Sequence, residues 1–140
     1  MMFHALTLIR NIMDCQDVAL YRVDNGNYAR LFGHTSEKAC SMGRTVYLPD
    51  KEPLFESFSR QEVYLNRTMD PVYPMMAYCI SEGKNMEMML LLWSIPFERM
   101  TIDESNRLIV ISKLIQKEVK RTAAYLDLLR KERHQDDSPA

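Results

Sequence analysis

Only four glycines stand in the 140 residues, at 26, 33, 43 and 83, and none belongs to a G-x-G-x-x-G or a G-x-x-x-x-G-K-[ST] run. Neither kind of phosphate-cradling loop is present, and no serine sits in a G-x-S-x-G elbow. Cysteine is scarce and odd in number. Cys15, Cys40 and Cys79 show no C-x-x-C spacing, which argues against a disulfide framework or a zinc knuckle and for reduced cytoplasmic thiols. The three histidines, His4, His34 and His134, fall in separate segments with no spacing to one another or to a carboxylate pair, so neither a metal site nor a histidine base is expected. Long apolar runs are missing as well. The longest, Met88 to Trp93, is far short of the roughly 20 residues that cross a bilayer, and no basic-then-apolar leader opens the chain. A net charge of −1 supplies no field for drawing in nucleic acid or anionic lipid. These absences predict no catalytic machinery, no cofactor, no nucleic-acid partner and no membrane contact by this segment.

What is present is ordinary globular composition, 46% apolar and 26% charged, in a length that suits one domain with a full core. The chain is organised around residues 74–97, PMMAYCISEGKNMEMMLLLWSIPF. Two strands, Met75 to Ser81 and Met86 to Ser94, are predicted about the polar break Glu82-Gly83-Lys84-Asn85, where Gly and Asn can supply the positive φ of a tight reversal. The second strand is apolar almost throughout, which predicts a strand covered on both faces near the middle of a sheet. Thr101-Ile102-Asp103-Glu104 then has the spacing of a capping box and predicts a helix start.

On the amino side, Phe3 to Asp14 places Leu6, Ile9 and Met13 on one helical stripe with Ala5, Leu8 and Ile12 beside it. Asp17 to Val23 and Tyr28 to Gly33 are β-rich runs flanking Asp24-Asn25-Gly26-Asn27, a strong hairpin signal. After a polar connection, His34 to Met42, a short strand is predicted at Arg44 to Leu48. A helix with Pro53 in its first turn follows at Glu52 to Gln61, then an edge strand at Glu62 to Leu65 and a loop at Asn66 to Tyr73. The closing helix is predicted from Asp103 to Arg133. Leu108, Ile111, Ile115, Val119, Thr122, Leu126 and Leu129 keep one seam along it at spacings of three and four. A helix that long overshoots a domain of this size, so its second half, Arg121 to Arg133, is expected to pair with another helix or to lead into a further domain. The domain is predicted over residues 1–133, with a disordered tail at 134–140.

Three stretches in this order, DVALYRVDNGNYARLFG at 17–33, EVYLNR at 62–67 and MLLLWSIPFERMTIDESNRLIVISKLI at 89–115, resemble GAF domains, small α+β sensor modules, over essentially Leu6 to Leu129. The resemblance implies an antiparallel sheet of five or six strands with the N- and C-terminal helices packed on one face. On the other face it implies a ligand pocket lidded by the middle segment. GAF domains bind cyclic nucleotides, bilins, haem or other small molecules, or bind nothing and serve in dimerisation. Within the family, SIPFERMTIDESNRLIVI is similar to the GAF domains of regulators of Pel exopolysaccharide export, which take part in cyclic di-GMP signalling. In those regulators a degenerate diguanylate cyclase domain follows and holds the dinucleotide, and nothing like it is present in this chain.

Candidate ligand contacts are the strand aromatics Tyr21, Tyr47, Tyr78 and Trp93, with Phe55, because an aromatic face can stack on a planar ligand. Cross-strand and core packing accounts for most aromatics on strands. Arg67 and Asp70 form an R-x-x-D, the arrangement of cyclic di-GMP inhibitory sites, in which the guanidinium forks onto a base or phosphate. Eleven Arg and nine Asp give about 0.7 such pairs by chance, and a second falls at Arg133 and Asp136, so the pattern decides nothing. The methionines of the central hairpin read as gap-filling core. Cys40, between Lys38 and Arg44, has the surroundings of a lowered-pKa thiol, but it lacks the adjacent histidine of bilin attachment sites. The cysteine contexts do not reproduce the motif of GAF-like methionine sulfoxide reductases.

The expected function is a non-catalytic regulatory and interaction module of a larger bacterial signalling or exopolysaccharide-export protein, cytoplasmic or the cytosolic part of a membrane-anchored parent. It would act as a homodimer through Leu6, Ile9 and Met13 with Leu108, Ile115, Val119, Leu126 and Leu129, and through protein partners in a signalling or secretion complex. The alternative is a small-molecule, nucleotide-like sensor holding its ligand between the sheet and the segment from Tyr47 to Asp70.

Overall fold

The central hairpin forms as β5 (Met76–Glu82) and β6 (Asn85–Leu92), paired from Met76↔Leu92 to Glu82↔Asn85. Gly83 at φ +64° opens the two-residue turn; Asn85 is already strand. The other side of β6 pairs with β1 (Val18–Val23), which pairs in turn with β2 (Tyr28–His34). In the β1–β2 turn the positive φ falls on Asn27 (+64°), and the Asp24 carboxylate accepts from the Gly26 and Tyr28 amides. Two short edge strands, β3 (Thr45–Tyr47) and β4 (Tyr64–Leu65), complete a six-stranded antiparallel sheet in the order β3-β2-β1-β6-β5-β4. Thus β6 is interior to the sheet, and Met88 through Trp93 are buried. The computed structural model describes residues 2–136.

Helix α1 (Met2–Met13) and the 35-residue α3 (Ile102–Asp136) cover one face of the sheet. Leu6, Ile9 and Met13 of α1 meet Leu108, Ile111 and Ile115 of α3 over Val18, Leu20, Met76, Ile80, Leu90 and Leu92. Each such side chain contributes roughly 1.5–3 kcal/mol on burial. Helix α1 ends with Asp14 at φ +48° and the Cys15 amide donating to the Arg10 carbonyl, a Schellman closure with an aspartate where glycine is usual. Arg99 fixes that end against the start of α3, donating to the Met13 carbonyl (2.7 Å) and the Asp14 carbonyl (3.1 Å) and pairing with Glu104 (3.6 Å). At the start of α3, Thr101 Oγ1 accepts from the Glu104 amide at 3.2 Å. Only this half of the capping box forms, since Glu104 turns to Arg99 and Arg107.

On the opposite face a 3-10 turn at Lys38–Cys40 precedes β3, and a second at Leu48–Asp50 with helix α2 (Glu52–Ser59) runs from β3 at one edge to β4 at the other. Leu48, Leu54 and Phe58 lie against Ala19, Ala29, Ala77, Leu91 and Trp93. The alanines leave room for the larger side chains above them. Leu48 belongs to the 3-10 turn, so β3 stops one residue short of its predicted end. Helix α3 runs three residues past its predicted end, through His134 to Asp136, so that part of the expected tail is helical; residues 137–140 lie outside the described residues. No Gly or Pro falls within residues 102–136.

The pairing skips Glu87, because Ile80 faces Met88 while Ser81 faces Met86. This bulge moves Met86 to the face of Met89 and Leu91, and turns Glu87 toward α3, where its carboxylate accepts from Gln116 Nε2 at 2.6 Å and pairs with Lys120 at 3.4 Å. No helix among the described residues is long and apolar enough to cross a membrane.

Candidate functional site

The seam predicted on α3 divides where the helix leaves the sheet. Leu108, Ile111 and Ile115 are buried, Val119 is half-buried against the same core, and Leu126 (49% exposed) and Leu129 (42%) are bare. Leu6, Ile9 and Met13 are likewise buried in their own protomer. This corrects the expected shared bundle: those α1 residues, with Leu108 and Ile115, cover their own sheet and are closed to a partner. A helical stripe has the same spacing whether it covers a sheet or a second helix, so the sequence could not separate the two.

Beside that seam the two helices carry exposed apolar surface. Leu8 and Ile12 of α1 and Leu114 of α3 are 51%, 41% and 57% exposed and line a groove of about 540 Å³ between the helices, rimmed by Lys117, Glu118 and Arg121. Eleven residues make just over three helical turns, so Tyr125 stands close to the azimuth of Leu114, with Leu128 near it. Tyr125 and Leu128 are 62% and 58% exposed. The stripe therefore continues from the groove along the overhang from Arg121 to Asp136, about 24 Å of helix at 1.5 Å per residue.

The residues proposed for a ligand pocket do not converge. Tyr78 faces α3, whereas Tyr21 and Trp93 face the other side of the sheet. Tyr21 is fully buried; its hydroxyl donates to the Gly43 carbonyl at 2.7 Å and its pKa is pushed up to about 12 by burial. That phenol anchors the connection before β3. Tyr47, on the edge strand, is exposed and stacks on Tyr28 with ring centroids 4.9 Å apart. Phe55 is half-buried over Met86 beside a shallow groove of about 300 Å³. Trp93 Nε1 is buried without a hydrogen-bond partner among the described residues.

Arg67 and Asp70 lie in the loop after β4, organised by a residue that sequence reasoning missed. Asn66 is 1% exposed; its Nδ2 donates to the carbonyls of Asp70 (2.8 Å) and Tyr73 (3.3 Å), and its Oδ1 accepts from the Asp70 amide (3.2 Å). Met69 is held at φ +58° within that closure. The Asp70 carboxylate accepts from the Val72 amide at 3.0 Å, while Arg67 points outward and makes no ion pair with it among the described residues. The burial of Asn66 follows only from where the loop closes.

A second polar cluster ties β1 to the end of β6. The Asp17 carboxylate accepts from Ser36 Oγ at 2.6 Å and from Ser94 Oγ, and Lys38 Nζ donates to Ser94 Oγ at 3.3 Å. These hydroxyls lower the Asp17 pKa, with smaller help from Lys38 and Arg10. Cys40 differs from its expectation: burial raises its pKa more than Arg44 lowers it, so its surroundings do not favour the thiolate. Among the described residues no cluster of three or more His, Cys, Asp or Glu is arranged to hold a metal.

Comparison with models of known protein families, with curated protein sequences and with solved structures finds no match. The α+β class and the six-stranded antiparallel sheet rest on the structure itself.

Proposed function

We propose that the chain is a non-catalytic, GAF-type regulatory module of a larger bacterial signalling or exopolysaccharide-export protein, working by helix-mediated dimerisation and contacts with protein partners. The observation that carries the reading is the apolar stripe from Leu8, Ile12 and Leu114 to Tyr125 and Leu128, which leaves the body of the domain on an overhanging helix. Two further features support it. Edge strands of three and two residues offer little backbone for sheet extension, which directs association to the helices. The loop-covered face is filled by Leu48, Leu54 and Phe58, which favours interaction over a ligand held beneath the segment from Tyr47 to Asp70. In this mechanism a shift of paired α3 helices is transmitted along the overhang to whatever it joins.

Native mass spectrometry with sedimentation velocity tests the reading. The expected result is a dimer without added mass, weakened at least about tenfold by Leu128→Asp, a difference of about 1.4 kcal/mol or more. A monomer at every concentration, or a dimer indifferent to both Leu128→Asp and Leu8→Asp, sinks helix pairing. A protomer that carries a reproducible extra mass favours the small-molecule sensor.

A further inference from the structure

The largest groove described lies between α3 and the outer half of β5, with a volume of about 690 Å³. It is distinct from the α1–α3 groove, although Leu114 and Lys117 border both. Lys113, Lys117 and Lys120 stand along it at spacings of four and three, on one helix face, spanning about 10 Å at 1.5 Å per residue. Among the described residues no carboxylate lines the groove, in a chain whose net charge is −1. Lys113 and Lys117 have no ion-pair or hydrogen-bond partner among the described residues, whereas Lys120 is held by Glu82 (3.2 Å) and Glu87 (3.4 Å).

The floor adds direction to the charge. Tyr78 is only 8% exposed, and its hydroxyl makes no hydrogen bond among the described residues. Gln61, Ser81 and Gln116 bring further polar side chains, and Val110 and Leu114 form an apolar ledge. The ammonium groups of Lys113 and Lys117, with no arginine fork beside them, suit the oxygens of a phosphate group better than a planar carboxylate, for which bidentate arginine is the usual partner. The volume falls in the range of about 300–1,000 Å³ typical of small-molecule sites. At the Lys120 end, Glu82 and Glu87 repel any anion that extends beyond the groove, which disfavours a polymeric phosphate backbone.

We propose that the α3–β5 groove binds a small phosphate ester about the size of a nucleoside diphosphate. Lys113 and Lys117 hold its phosphates, and Tyr78, with the Val110 and Leu114 ledge, receives its less charged end. The site lies on the helical face of the sheet, opposite the pocket that a GAF resemblance implies, and it is complete within one protomer. Its existence therefore does not depend on dimerisation.

The test is a ¹H–¹⁵N NMR titration of the intact chain with ADP. Saturable shifts are expected at the amides of Cys79 to Ser81 and Lys113 to Lys120, with inorganic pyrophosphate competing and adenosine inert. The double variant Lys113→Glu/Lys117→Glu is expected to lose at least about tenfold in affinity. Both positions are exposed on the helix, so the fold is retained, and Lys84→Glu, outside the groove, serves as the charge control. Absence of saturable shifts, equal affinity in the double variant, or adenosine binding as tightly as ADP overturns the proposal. Shifts produced by phosphatidylserine vesicles but not by ADP overturn it in favour of a membrane surface.

Discussion

The two faces of the sheet are covered by opposite means. On one, α1 and α3 lay down an almost wholly apolar layer, with Leu6, Ile9, Met13, Leu108, Ile111 and Ile115 on the strands beneath. On the other, short turns and α2 are fastened by directed hydrogen bonds: Tyr21 to Gly43, Asp17 to Ser36 and Ser94, and Asn66 around its own loop. An apolar layer tolerates sliding and leaves unused surface at its margin, here Leu8, Ile12 and Leu114. Hydrogen-bonded closures fix one geometry and satisfy their own groups. The helical face therefore keeps exposed apolar surface at its margin, and the loop face holds the sheet in shape.

The largest expected effect contrasts the two halves of α3. Ile115, 5% exposed, packs on the sheet, and Ile115→Asp is expected to destabilise by on the order of 4–5 kcal/mol by burying an unpaired carboxylate. Leu126→Asp, on the same seam eleven residues later, should stay within about 0.5 kcal/mol of the parent in urea unfolding, because exposed substitutions seldom do more. Equal losses at the two positions would mean that the overhang folds back onto the domain and that the contrast is false.

A smaller effect separates the faces by their hydrogen bonds. Tyr21→Phe removes the donor to the Gly43 carbonyl while keeping the buried ring, and about 1–1.5 kcal/mol of stability should go with it. Amide exchange should quicken in the connection before β3 and stay unchanged in α1 and α3. Uniform loosening of both faces would show that the connection is not fastened independently.

The frame of this fold was legible because it rests on local periodicity. The apolar run Met88 to Trp93 marked an interior strand, Asp24 to Asn27 marked a hairpin, and Thr101 with Glu104 marked a helix start. What stayed hidden was set by tertiary position. The Glu87 bulge leaves no trace in β6, where methionines occupy positions 86, 88 and 89 and suit either face. The stripe of Leu6, Ile9 and Met13 looked available to a second chain because covering a sheet and covering a helix demand the same spacing. The aromatics could be placed on strands, yet Tyr78 and Tyr21 fall on opposite faces through a register that pairing alone determines. The lysine row at 113, 117 and 120 resembled any solvated helix face until β5 supplied the opposite wall of a groove.

The smallest effect is a matter of pH and belongs to the loop face alone. Asp17 accepts from Ser36 and Ser94, and those hydroxyls hold its folded-state pKa below the ordinary aspartate value. A carboxyl with a depressed folded pKa binds protons more readily when unfolded, so its contribution is complete above the unfolded value of about 3.9 and is lost as pH falls through the folded pKa. Asp17 is partly solvated and water screens the cluster, so the loss should be modest. It should show as a steeper acid limb in the parent than in Asp17→Asn, measured by urea unfolding at successive pH values below about 5. Amide exchange across the same range should quicken first at Thr35 to Lys38, where Ser36 loses its ionised acceptor, while the α1–α3 layer keeps its protection. Identical acid limbs for parent and variant would show that the hydroxyls favour the protonated and ionised carboxyl equally, and would leave the apolar layer on the far face as the chief restraint on β1.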